Sequence, residues 1–195
     1  MTESTSTARA ERGAKNRRRK GLVIINTGNG KGKTTAAFGL GLRASGNRMK
    51  VFCLQFIKGA WKTGETEAVK LLAPNFELFK TGRGWTIDRI RDHRISDEEH
   101  QAAAQEGLAW ARERIISGEY QMVILDEILG SIKAGLVTLD QVLDLVAIKP
   151  PDLHLVLTGR NAPPELIEVA DLVTEMNPIK HPYQAGIMAQ RGIEF

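Results

Sequence analysis

The chain has 195 residues, 42% of them hydrophobic, which is enough apolar content to close one core of ordinary domain size without staples. A single cysteine, Cys53, excludes an intrachain disulfide and suits a reducing cytoplasm; the lack of any apolar run near the ~20 residues of a bilayer span, or of a signal-peptide stretch after Met1, predicts no membrane insertion and no secretion. The formal charge of +4 is unevenly placed, +5 in residues 1–20 and −1 in everything after, so the body of the chain lacks the basic balance of a nucleic-acid binder.

Residues 1–20 are rich in Ser, Thr, Ala and Arg and have no large apolar side chain after Met1, which predicts a flexible basic tail when free. The stretch from Ala8 to Lys20 could become helical against a partner surface. Residues 21–195 are expected to form a single domain. From Gly21 onward, short β-branched runs alternate with longer amphipathic segments, the pattern of a mainly parallel sheet with helices on both faces. About six strands are expected, at 22–26, 50–57, 76–80, 122–126, 153–158 and 172–175. One helix begins near Lys33. The clearest helix runs from Ser96 to about Ser117: Ser96-Asp97-Glu98-Glu99 offers a capping box, Leu108, Ala111 and Ile115 recur at helical spacing, and Gly118 is placed to end it. Thr138 caps another, with Leu139, Val142, Leu143 and Val146 as its apolar face and Pro150-Pro151 beyond its end.

The richest stretch is Leu22-Val23-Ile24-Ile25-Asn26-Thr27-Gly28-Asn29-Gly30-Lys31-Gly32-Lys33-Thr34-Thr35, which reads as strand, glycine-rich loop, helix, and resembles a Walker A phosphate loop. Gly28, Asn29, Gly30, Lys31 and Gly32 can turn backbone N–H groups toward a phosphate chain, and the helix start at Lys33 directs its positive end there. Lys33 is suited to terminal phosphate oxygens, Thr34 to Mg²⁺ and Thr35 to a further phosphate hydrogen bond. Where the usual pattern has its first glycine, this chain has Thr27. A second apolar strand, Met122-Val123-Ile124-Leu125, runs into Asp126 and Glu127, as in a Walker B element. At the carboxyl end of a parallel strand these acids should face the phosphate loop and reach a metal, directly or through water; the competing reading is that they cap the next helix. Together the motifs predict a P-loop NTPase-like, RecA-like fold. His93, His100 and His154 lack metal-ligand spacing, and Trp61 and Trp110 read as packing residues, with Trp61 near the site rim.

Beyond these motifs, Gln55-Phe56-Ile57-Lys58-Gly59, Leu125-Asp126-Glu127, Thr158-Gly159-Arg160, Pro178-Ile179-Lys180-His181 and Gly192-Ile193-Glu194-Phe195 make the chain from Gly21 to Phe195 resemble the P-loop type of cob(I)alamin, or corrinoid, adenosyltransferase. That family's phosphate loop is similar at Thr27. The resemblance implies that cobalt(I) of a reduced corrinoid attacks C5' of ATP and expels inorganic triphosphate. The corrinoid would be cobalamin or cobyrinic acid a,c-diamide, with Mg²⁺ (or Mn²⁺) as the metal and a flavoprotein as a source of reducing electrons. It further implies a homodimer, and an N-terminal segment that covers the corrinoid. Lys31 and Lys33 would stabilise the departing triphosphate, Thr34 with Glu127 or Asp126 would hold the metal, and Arg160 is either a further phosphate contact or a surface ion-pair residue. Trp85 matches an aromatic that the family places against the corrin, with core packing as its alternative; Arg83 stands where a second aromatic is often found. A hydrolytic ATPase or kinase releasing ADP is the rival enzyme, because Asp126 and Glu127 would serve it too.

Overall fold

The computed structural model describes residues 19–57, 63–81 and 95–194. Its six strands are β1 (Val23–Thr27), β2 (Val51–Gln55), β3 (Phe76–Lys80), β4 (Met122–Asp126), β5 (His154–Thr158) and β6 (Leu172–Glu175). They form one sheet in the order β3-β2-β4-β5-β1-β6, and every neighbouring pair is parallel. Between them run α1 (Lys33–Gly46), α2 (Gly64–Lys70), α3 (Asp97–Ile116), α4 (Ile128–Lys133), α5 (Leu139–Ala147) and α6 (Pro164–Val169), and a 3₁₀ turn, Pro182–Ala185, follows β6. All six expected strands are present. The strand expected to reach residue 57 ends at Gln55, and the chain continues through Phe56, whose N–H still reaches the Asp126 carbonyl.

The four inner strands β1, β2, β4 and β5 are buried on both faces because alternate side chains enter different cores, whereas the edge strands β3 and β6 are more exposed. Ile25, Phe52, Leu54, Val123, Leu125, Leu155 and Leu157 pack with Leu108, Ala111 and Ile115 of α3 and Val142 and Leu145 of α5. Ile24, Val51, Cys53, Ile124 and Val156 pack on the other face with Ala37, Phe38 and Ala44 of α1. Each fully buried Leu or Ile contributes about 1.5–3 kcal/mol relative to exposure. The expected capping box forms, Ser96 with Glu99, and the expected cap Thr138 proves to belong to a second box, with Gln141. Leu145, absent from the apolar face read from sequence, is more deeply buried than Leu139 or Leu143. His100 is buried in α3, and His154 Nδ1 accepts from Leu22 N–H, so both serve packing and strand registry. Trp110 is partly exposed and meets Phe79 edge-on. Among the described residues no helix is long and apolar enough to cross a membrane.

Because the sheet is parallel, all strands present their carboxyl ends at one edge. Registry places Asn26 beside Thr158, Gln55 beside Asp126 and Thr27 beside Glu175. The loop after β1, the acids ending β4 and the turn after β5 therefore share that edge, where ligands bind open α/β sheets.

Candidate active site

The loop leaving β1 turns through left-handed backbone at Gly28 (φ 95°) and Gly32 (φ 109°) before α1 begins at Lys33. Its floor is the chain after β6. Gly30 N–H donates to the Met176 carbonyl at 2.6 Å, and a Cβ at Gly28 or Gly30 would lie 2.5 or 2.7 Å from that same oxygen. Backbone meets backbone there, so both positions require glycine. Thr27 does not share that constraint, and its hydroxyl accepts from Ala162 N–H at 3.1 Å.

Lys33 lies across its own loop, with Nζ donating to the carbonyls of Gly28 (2.9 Å) and Gly30 (2.6 Å). Burial lowers its pKa from the ordinary 10.5; Glu127 opposes this, Arg160 adds to it and Asp126 opposes it. Beside it Thr34 Oγ1 donates to Asp126 Oδ1 at 2.9 Å. The Asp126 carboxylate is fully buried and also accepts from Thr158 Oγ1 at 2.7 Å and from Gln55 Nε2 at 2.8 Å. The Thr158 hydroxyl in turn accepts from Glu127 N–H at 2.9 Å. This network fixes the end of β4 and turns Glu127 outward in a left-handed conformation, φ 63°. Glu127 sits at the N-cap position of α4, but its side chain makes no capping bond, which removes the helix-cap reading.

These groups open onto a cavity of about 780 Å³, within the range of small-ligand pockets. Asn29, Gly30, Lys31, Gly32, Lys33, Thr34 and Thr35 form one wall, and Glu127 and Arg160 face them. Arg160 makes no ion pair among the described residues. Asp126 does not line the cavity and reaches it through Thr34. The cavity also has walls not singled out from sequence as site residues: Glu65 of α2, Lys133 and Ala134 at the end of α4, and His181, Ile193 and Glu194 from the chain after β6. Glu194 forms an ion pair with Lys31. His181 and Glu194 belong to quoted motifs, a signal that could have marked them; Glu65 and Lys133 had none. Trp85, Arg83, Trp61, His93 and residues 1–18 of the tail lie outside the described residues. Lys20, at the expected tail boundary, is paired with Asp171.

Comparison with known proteins bears directly on this arrangement. A family model described as ATP:corrinoid adenosyltransferase BtuR/CobO/CobP matches residues 19–195. The chain belongs to the ATP:corrinoid adenosyltransferase family. It is 43% identical over 183 residues to a corrinoid adenosyltransferase of Sinorhizobium sp, an overlap spanning 90% of this chain and 81% of the relative. A second relative of that name, from Pseudomonas aeruginosa, is 39% identical over 95% of this chain and 89% of its own length. A third, from Escherichia coli K12, is 36% identical over 90% and 86%. Among solved structures, the RadB recombinase superposes with a TM-score of 0.50 at 14% identity, covering 84% of this chain and 77% of that one, which shows the RecA-like fold alone. As an adenosyltransferase family member the chain is a transferase using ATP and a corrinoid, and the rival phosphoryl-transfer reading finds no support.

Proposed function

We propose that the chain joins the 5'-deoxyadenosyl group of ATP to a reduced corrinoid. Cobalt(I) supplies the electron pair for the new cobalt–carbon bond, the C5'–oxygen bond breaks, and its pair leaves with inorganic triphosphate. The family match across residues 19–195 carries this reading. The cavity lining supports a division of the work among the chain's own residues. In this reading Lys33, Lys31, the loop amides and Arg160, which line the cavity, bind the triphosphate and stabilise the charge it gains on leaving. Corrinoid cobalt is itself the nucleophile, so the protein's task is to position and polarise.

The residues present fit a hard cation. Thr34 offers a hydroxyl and Glu127 a carboxylate at the cavity wall, while Asp126 orients Thr34. Among the described residues no group of three or more His, Cys, Asp or Glu forms a protein cage, as suits Mg²⁺, which keeps waters and phosphate oxygens in its shell. Mg²⁺, or Mn²⁺ on the same oxygens, would supply neutralisation of the triphosphate charge. The family resemblance adds Trp85 against the corrin, a reducing flavoprotein and a homodimer to this reading; the lone Cys53 adds a cytoplasmic setting, and the composition adds residues 21–195 as one domain.

Anaerobic incubation with ATP, Mg²⁺ and chemically reduced cobalamin tests it. Light-sensitive adenosylcobalamin accompanied by triphosphate is the expected outcome. Unchanged corrinoid with accumulating ADP would overturn it, and repeating the assay with cobyrinic acid a,c-diamide compares the two acceptors.

A further inference from the structure

We infer that Thr27 is a positioning residue for the reaction, acting through Arg160. The turn that carries Arg160 leaves β5 with two residues in left-handed backbone, Gly159 at φ 139° and Asn161 at φ 56°. For Asn161 that conformation is uncommon, and such a turn holds its shape when the surrounding structure fixes it. It is pinned to β1 on both sides of Arg160. Gly159 N–H donates to the Asn26 carbonyl at 3.2 Å, and Ala162 N–H donates to the Thr27 hydroxyl at 3.1 Å.

The second pin depends on a side chain that the generic phosphate loop lacks. Glycine at position 27 would leave Ala162 N–H without this acceptor and the far side of the turn untethered. Thr27 is itself only 6% exposed, and its carbonyl accepts from Met176 N–H at 2.8 Å, so it is held firmly enough to serve as the anchor. It does not line the cavity, whereas Arg160 does. The departure from the usual glycine thus couples the phosphate loop to the arginine opposite it.

This inference rests on the reading that Arg160 faces the triphosphate, and a double-mutant cycle separates the two. Thr27→Ser, Thr27→Val, Arg160→Ala and the combined Thr27→Val/Arg160→Ala are prepared in the full chain. For each, the KM for ATP, kcat and the urea midpoint are measured. Thr27→Ser keeps the acceptor and should stay within about twofold of the parent. Thr27→Val keeps the shape but loses the acceptor, and should lower kcat/KM for ATP by about two- to tenfold, the size of one net hydrogen bond. In the Arg160→Ala background the same Thr27→Val change should have less than about a twofold effect, because the group it positions is gone. Loss of the hydrogen bond moves the urea midpoint under either reading, whereas a purely structural role would leave the two kinetic effects additive. The inference is overturned if Arg160→Ala is impaired while Thr27→Val matches the parent, or if the Thr27→Val loss persists undiminished without Arg160. If Arg160→Ala is itself silent, the triphosphate reading of Arg160 falls, and the inference with it. Thr27→Gly, which restores the generic loop, takes the place of Thr27→Val should that variant fold poorly.

Discussion

Asp126 and Glu127 are adjacent carboxylates with different surroundings, and the difference separates their roles. Asp126 is fully buried among donors from Thr34, Thr158 and Gln55, so Asp126→Asn turns an amide toward groups that have hydrogens to give. Leaving such donors unpaired costs about 1–3 kcal/mol, and urea unfolding of the nucleotide-free protein should show a loss of that size. Glu127→Gln should leave the unfolding midpoint within about 0.5 kcal/mol of the parent, as substitutions outside a buried network do, yet weaken Mg²⁺-dependent turnover. Equal stability losses in the two variants would contradict this division. Lys33 gives a pH prediction. Its pKa lies below 10.5 because burial disfavours the cation, so the folded state releases its proton at lower pH than the unfolded chain. Stability linked to this group is therefore fully present above 10.5 and is lost as pH falls through the lowered folded value. Triphosphate favours the cation and moves the pKa back up. ATP binding should accordingly take up protons in the alkaline window just below 10.5, and affinity should fall as pH rises through it. Calorimetry in buffers of different ionisation enthalpy measures this, and proton-neutral binding there would refute it.

At the scale of elements, the phosphate loop is shaped by the segment beneath it as much as by its own glycines. The Met176 carbonyl lies 2.6 Å from Gly30 N and where a Cβ at Gly30 would fall, at 2.7 Å. Gly30→Ala must push loop and segment apart, displacing the amides and the Gly30 carbonyl that Lys33 holds. The expected result is ATP affinity weakened by about tenfold or more, from roughly one to two lost phosphate contacts, with the helical circular dichroism unchanged. Native affinity in that variant would mean that the loop tolerates the shift. This contact was not legible in the sequence, because it joins backbone to backbone across ~150 residues. The loop and its strand and helix were legible, since glycine spacing and β-branched runs are local signals. So were the α3 capping box of Ser96 and Glu99 and the Thr138 cap of α5, which act within one turn; Gln141, the partner of Thr138, was not read. Leu145 escaped because the side chains of α5 are buried unevenly around its apolar face, which tertiary packing decides.

Across the whole molecule, what local pattern could not reveal is which distant elements meet. Alternating strands and helices foretold a parallel sheet, but the order β3-β2-β4-β5-β1-β6 follows from crossovers that leave no local signature. The chain after β6 has little regular structure, so its return across the site was visible only as the motifs containing His181 and Glu194. That return has an energetic consequence. Lys31, expected to face the triphosphate, is engaged by the Glu194 carboxylate, which also accepts from Gln190 N–H at 2.6 Å and has its pKa lowered chiefly by Lys31. A polyanion entering the cavity must compete with Glu194 for that ammonium. Glu194→Gln retains an oxygen for the Gln190 N–H but withdraws the competing charge. Because the pair is solvent-accessible its worth is small, so the variant should bind ATP more tightly by no more than about fivefold. The gain should shrink as added salt screens the pair in the parent protein. Equilibrium binding of ATP at low and high ionic strength reads both effects. Weaker binding by Glu194→Gln at low salt would mean instead that the carboxylate holds Lys31 in place for the phosphates, and that the segment after β6 closes the site rather than contesting it.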